Sequence, residues 1–253
     1  VIVRLLRAFG LNVVPLGGVI AGWSTSTALA LYWFETLLAL PLVLARVVLH
    51  RRATAARGHF RAHFASGAEN GNKPGSLLAE TALFGTVFTL AHGLFLVVFL
   101  VVILPRQDPA AAIDPRQLGG GLLVVMGLLA LSFLRDLVGL GERPFAWVKQ
   151  EAQSLLGRTA VVHLAIIGGV WLGAVTGRPT LFVLAFGVLK LWTDLASAWP
   201  RRRGASSEPP KALAAVLDHL PAGTGGPKGS FREFYRVERE RELALIQADE
   251  LPR

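Results

Sequence analysis

The sequence has no cysteine, so it can form no disulfide, hold no iron–sulfur cluster and use no thiolate chemistry. Charge is scarce as well. Asp, Glu, Lys and Arg make up 17% of the 253 residues, against about a quarter in an ordinary soluble domain. Acids are outnumbered 17 to 26, which leaves a net charge of +9. The basic residues fall between apolar blocks and in the tail, not along one amphipathic surface, so nucleic acid is not an expected partner. The G-x-S-x-G and H-E-x-x-H signatures and a glycine-rich nucleotide loop are also absent.

What the sequence does have is apolar residues, 53% of the chain, gathered into long blocks. That bunching marks a membrane helix bundle rather than a soluble protein with a rich core. The chain is organised around Thr27 to Leu49, a spanning-length run with Glu35 well inside and the basic block HRRATAARGH directly behind it. By the positive-inside rule its C-terminal end faces the cytoplasm. The apolar blocks predict an all-α, polytopic transmembrane bundle of about six spans, near residues 5–23, 27–49, 77–104, 118–134, 159–175 and 180–199. The first block runs on without a small-residue cleavage site and a polar mature sequence, so a cleaved signal peptide is not expected.

Between the blocks, Thr25, Ser26 and Thr27 offer N-caps for the second helix. His50, His59 and His63 read as solvated loop histidines. Phe145, Trp147, Val148, Leu155 and Leu156 read as a membrane-surface face that begins at Pro144. The fifth block holds a G-x-x-x-G pattern at Gly169 and Gly173, suited to close helix contact. Residues 1–203 are expected to form the bundle. Residues 204–253 are expected to form a cytoplasmic tail with two short helices, the second from Phe231 to Ala248 and dense in Arg–Glu pairs that fit either a partner or a bundle cap.

Depth is the useful coordinate for chemistry. Glu35 and His92 each lie roughly 13 to 14 residues from the cytoplasmic ends of their helices, on the order of 20 Å, and are expected to pair across the second and third spans. Lys190 stands next as a partner for Glu35, and it is spaced i,i+4 from Asp194. Glu80, Arg135, Asp136, His163 and Asp194 form a shallower polar layer, and Arg46 can snorkel to it. The candidate catalytic residues are therefore Glu35, His92, His163 and Asp194, the candidate cofactor ligands His92 and His163, and the candidate metal ligands Glu35 and His92. His92 and His163 differ in depth by about 12 Å, too far to be the two axial ligands of one haem. The residues specify no cofactor.

Three functions remain open on these residues. The first is a structural or accessory subunit of a membrane complex. The second is an intramembrane enzyme, or a metal or proton site, that uses Glu35 and His92. The third is a transporter or a pigment- or cofactor-binding protein. The expected partners are the lipid bilayer and either other membrane proteins or a second copy of the chain.

The segment LYWFE at Leu31 to Glu35, following a short first span that ends in GW, resembles a family of uncharacterised bacterial multi-pass membrane proteins known only as a domain of unknown function. His92 in the third span and VVHLAIIGG at Val161 to Gly169 extend the resemblance, as do Lys190 and Asp194 at the polar end of the last helix. The resemblance implies a bundle of six or so helices in a bacterial inner membrane, with both termini cytoplasmic by the charge pattern. It implies no activity.

Overall fold

The computed structural model describes residues 2–61, 63, 75–103, 112–157, 179–198 and 231–252. Among them are seven helices: α1 Ile2–Ile20, α2 Thr25–Thr54, α3 Leu77–Val98 with a π-helical turn Phe99–Ile103 at its end, α4 Pro115–Leu137, α5 over residues 145–157, α6 Pro179–Ala198 and α7 Phe231–Glu250.

Three of these helices, not six, are long and apolar enough to cross a membrane: Thr25–Thr54, Leu77–Val101 and Pro115–Leu137. This corrects the six-span expectation. The first block fails because the apolar part of α1 is only Ala8–Ile20, short of the roughly 20 residues that a bilayer core requires. The sixth block is helical as α6 but stands outside the three, and it carries Lys190 and Asp194. The fifth block, with His163 and the Gly169–Gly173 pattern, lies outside the described residues.

The start of α2 also differs from expectation. Ser24, not one of the three residues after it, is the N-cap, and its hydroxyl accepts from the Thr27 amide at 3.1 Å. Thr27 instead reaches across the bundle, where its hydroxyl accepts from the Asp114 amide at 3.0 Å at the head of α4. The far end of α2 stops at Ala55, whose φ of 49° lies in the left-handed region.

α2 is the axis of the fold, packing against α1, α3, α4 and α6. It meets α3 along Gly85, Thr89 and Gly93, spaced four apart on one face. A Cβ at Gly93 would stand 2.7 Å from the Trp33 ring, and the Trp33 indole N–H donates to the Thr89 carbonyl at 3.2 Å. The glycine is what lets the indole lie flat on the α3 backbone. The opposite faces of α3 and α4 leave Leu83, Leu90, Leu94, Leu123, Leu131 and Leu134 exposed, the arrangement expected where lipid covers a helix.

Three residues of the α5 face expected at a membrane surface are buried inside the protein. Phe145, Val148 and Leu155 are buried in the main apolar core with Val43, Val47 and Leu77. Against its first turn sits the end of α7. The Glu250 carboxylate accepts from the Phe145 and Ala146 amides at 2.6 and 2.9 Å, capping a helix whose first amides have no partner of their own. Of the two expected tail helices, α7 is present and the other lies outside the described residues.

Candidate functional site

Four side chains from three helices meet inside the bundle: Asn12 of α1, Glu35 of α2, and Lys190 and Asp194 of α6. Lys190 Nζ donates to Glu35 Oε2 at 2.9 Å, to Asp194 Oδ2 at 2.9 Å and to Asn12 Oδ1 at 3.3 Å. An ammonium has three N–H bonds, and here each has an acceptor. Asn12 completes the ring, since its amide donates to Asp194 Oδ2 at 2.8 Å and to the Ala8 carbonyl at 2.8 Å. These bonds fix which way the Asn12 amide points. All four residues are nearly inaccessible, none more than 4% exposed.

Helix periodicity explains how the sequence assembles this ring. Lys190 and Asp194 stand one above the other at i,i+4, and the long lysine stem carries its ammonium up toward the level of Glu35. Tyr32 lies one turn before Glu35, and its ring faces the ammonium at 4.9 Å from the centroid. Phe186 holds that ring edge-on at 5.1 Å. Gly187, one turn before Lys190, has no side chain because α1 leaves no room for one: a Cβ there would stand 2.2 Å from Leu16. Among the described residues the buried Tyr32 hydroxyl finds no hydrogen-bond partner.

The candidate residues fare differently in this geometry. Glu35 and Asp194 are brought together on Lys190. Depth matched Glu35 with His92, but the structure gives Glu35 the partner held next in reserve, Lys190. His92 is buried on α3, and His163 lies outside the described residues. Among the described residues no group of three or more His, Cys, Asp or Glu is placed to hold a metal ion. Asn12 was missed by the sequence reading, although an amide in the middle of an apolar block was the available signal. Arg46 reaches the polar layer that holds Asp136. It is buried and pairs with Asp136 of α4 at 3.0 Å, and Arg143 takes the other Asp136 oxygen at 3.1 Å.

A family model described as a family of unknown function, DUF6498, matches residues 2–217, which include all four ring residues. The chain belongs to the DUF6498 family. No curated protein and no solved structure matches it. In this DUF6498 chain α7 lies beyond the matched segment. The helices long and apolar enough to cross a membrane, together with the family, make it a membrane protein of unknown function.

A second polar group occupies the basic end of α2, where His50 and His59 are buried rather than solvated. The Arg143 carbonyl stands 2.9 Å from His50 Nε2, and His50 Nδ1 stands 2.8 Å from His59 Nε2. A carbonyl can only accept, so His50 carries its proton on Nε2 and accepts on Nδ1, and His59 donates from Nε2. That leaves His59 Nδ1 as a buried lone pair with no partner among the described residues. His59 lies in a 3-10 turn, Arg57–Phe60, so it does not share an α-helical face with His63. The His63 side chain instead meets the Gly58 carbonyl at 2.7 Å, and the His63 amide donates to Glu80. Burial, with His50, Arg51 and His63 nearby, lowers the His59 pKa from 6.5 to about 4.

Proposed function

We propose that the protein handles protons inside the membrane, taking up and releasing a proton at the Lys190, Glu35 and Asp194 ring as part of a transport or relay step. One observation carries this reading: a single ammonium lies between two buried carboxylates. With every group ionised, these side chains bring two negative charges to one positive charge. An uncompensated charge costs far more in an apolar bundle than in water, and a carboxyl group there avoids the cost by holding a proton. Either carboxyl group of the ring is therefore a place where a proton can be held beside the ammonium that it faces. Intramembrane ionisable groups of this kind mark proton and ion pathways by default.

The exposed apolar side chains of α3 and α4 are accounted for by lipid, so they add nothing to an accessory-subunit reading. Proteoliposomes carrying a pH-sensitive dye and an imposed potential test the proposal. Wild-type protein is expected to pass protons faster than empty vesicles, and Glu35→Gln or Asp194→Asn is expected to abolish the difference. Wild-type vesicles indistinguishable from empty ones would overturn it.

A further inference from the structure

We infer that the end of the chain is a pH-sensitive latch, in which residues 249–252 dock beside His59 at neutral pH and let go when His59 takes up a proton. The latch is held at three places. The Arg57 amide donates to the Leu251 carbonyl at 2.8 Å, and Ala56 pairs with Pro252 in an antiparallel bridge. The Arg61 guanidinium meets Asp249 at 3.4 Å. The Glu250 carboxylate caps α5 through the Phe145 and Ala146 amides.

His59 stands between these anchors. It belongs to the same short turn as Arg57, and its ring stacks edge-on against Phe145 at 4.9 Å. A Cβ on Gly58 would stand 2.2 Å from the Phe145 ring, so the turn and the start of α5 are in close contact. A displacement of His59 therefore reaches both the strand-like pairing and the α5 cap.

His59 cannot gain a proton cheaply, because a proton on its Nδ1 would be a buried donor with no acceptor among the described residues. The surroundings add to this. His59 faces His50 and Arg51 of α2 and His63 of the loop; His63 in turn faces Lys149 of α5, Glu80 of α3 and Asp249 of the latch. A proton on His59 is thus accommodated only if the turn beside residues 249–252 opens toward water, and docking weakens with acid. This device does not depend on the ring at Lys190, so the two proposals stand or fall separately.

Because the chain has no cysteine, a labelled pair can be introduced cleanly. Ala53→Cys with Leu251→Cys, both at exposed positions, carries two spin labels on full-length protein in lipid nanodiscs. At pH 7.5 the expected distance distribution is short and narrow. At pH 5 a long, broad population is expected to grow at unchanged helicity. His59→Gln is expected to keep the short distance at both pH values, and Glu250→Gln to move release to higher pH. An unchanged wild-type distribution at pH 5, release in His59→Gln at the wild-type pH, or no shift in Glu250→Gln would each overturn the latch, as would release that accompanies loss of helicity.

Discussion

Lys190 of α6 and Glu35 of α2 form an ion pair at 2.9 Å with both side chains almost wholly buried, and Asp194 claims a second proton of the same ammonium. The pair joins two residues that are 155 positions apart in the chain. Breaking a buried pair from one side costs more than its formation gains, because the remaining charge has no solvent.

The variants of this ring should therefore rank by the charge that they strand. Lys190→Met removes the ammonium from between two buried carboxyl groups and is expected to cost about 3–5 kcal/mol. Glu35→Gln leaves one acid opposite one base, keeps an acceptor for Lys190 and is expected to cost no more than about 1–2 kcal/mol. Thermal unfolding followed by helicity checks the order. Equal losses would show that charge balance does not govern the site.

Asn12 offers a test that involves no charge. Asn12→Leu removes an acceptor from Lys190 and a donor from Asp194 while keeping similar bulk. The expected loss is about 1–3 kcal/mol, the cost of leaving buried polar groups short of a partner. A variant as stable as wild type would mean that water replaces the amide.

Two glycines in transmembrane helices should behave oppositely. Gly93→Ala drives a methyl to 2.7 Å from the Trp33 ring and is expected to cost about 1–3 kcal/mol through overpacking. Gly127→Ala meets nothing within 4 Å and is expected to gain about 0.5–1 kcal/mol from helix propensity. The same unfolding measurement on both variants suffices, and a neutral Gly93→Ala would remove the close α2–α3 contact from the account.

His59 sets the sign of the pH dependence at the basic end. Its pKa in the folded protein, about 4, lies below the ordinary 6.5, so the stability it contributes is full above about pH 6.5 and is lost as pH falls toward 4. A melting temperature that falls over this window in wild type but stays level in His59→Gln is the expected result. A parallel fall in both would assign the effect to other groups.

Much of this was written in the sequence, and the failures have physical causes. Apolar run length located α2, α3, α4 and α6 to within a few residues, because a lipid-facing helix has no other way to satisfy its backbone. Run length could not tell a span from α1, whose apolar part is too short. Depth counting matched Glu35 to His92 because it measures Cα positions, whereas the lysine stem moves its charge about a turn along the helix. Tertiary contact defeated the rest. Nothing local in Phe145 or Val148 distinguishes a membrane-surface face from a core face, and His50 and His59 are buried only because α5 and the Arg57–Phe60 turn close over them. Gly85, Thr89 and Gly93 were legible as a small-residue stripe, a more telling one than the glycines of the fifth block, which lie outside the described residues.

The central claim is that the Lys190 ring holds an exchangeable proton on a carboxyl group, and infrared difference spectroscopy between acid and alkaline pH tests it most directly. The account predicts a carboxylic-acid carbonyl band in wild-type protein that shifts in heavy water, disappears on alkalinisation and is missing from Glu35→Gln or Asp194→Asn. A band that persists unchanged in both variants, or no such band in wild type at any pH, would contradict it.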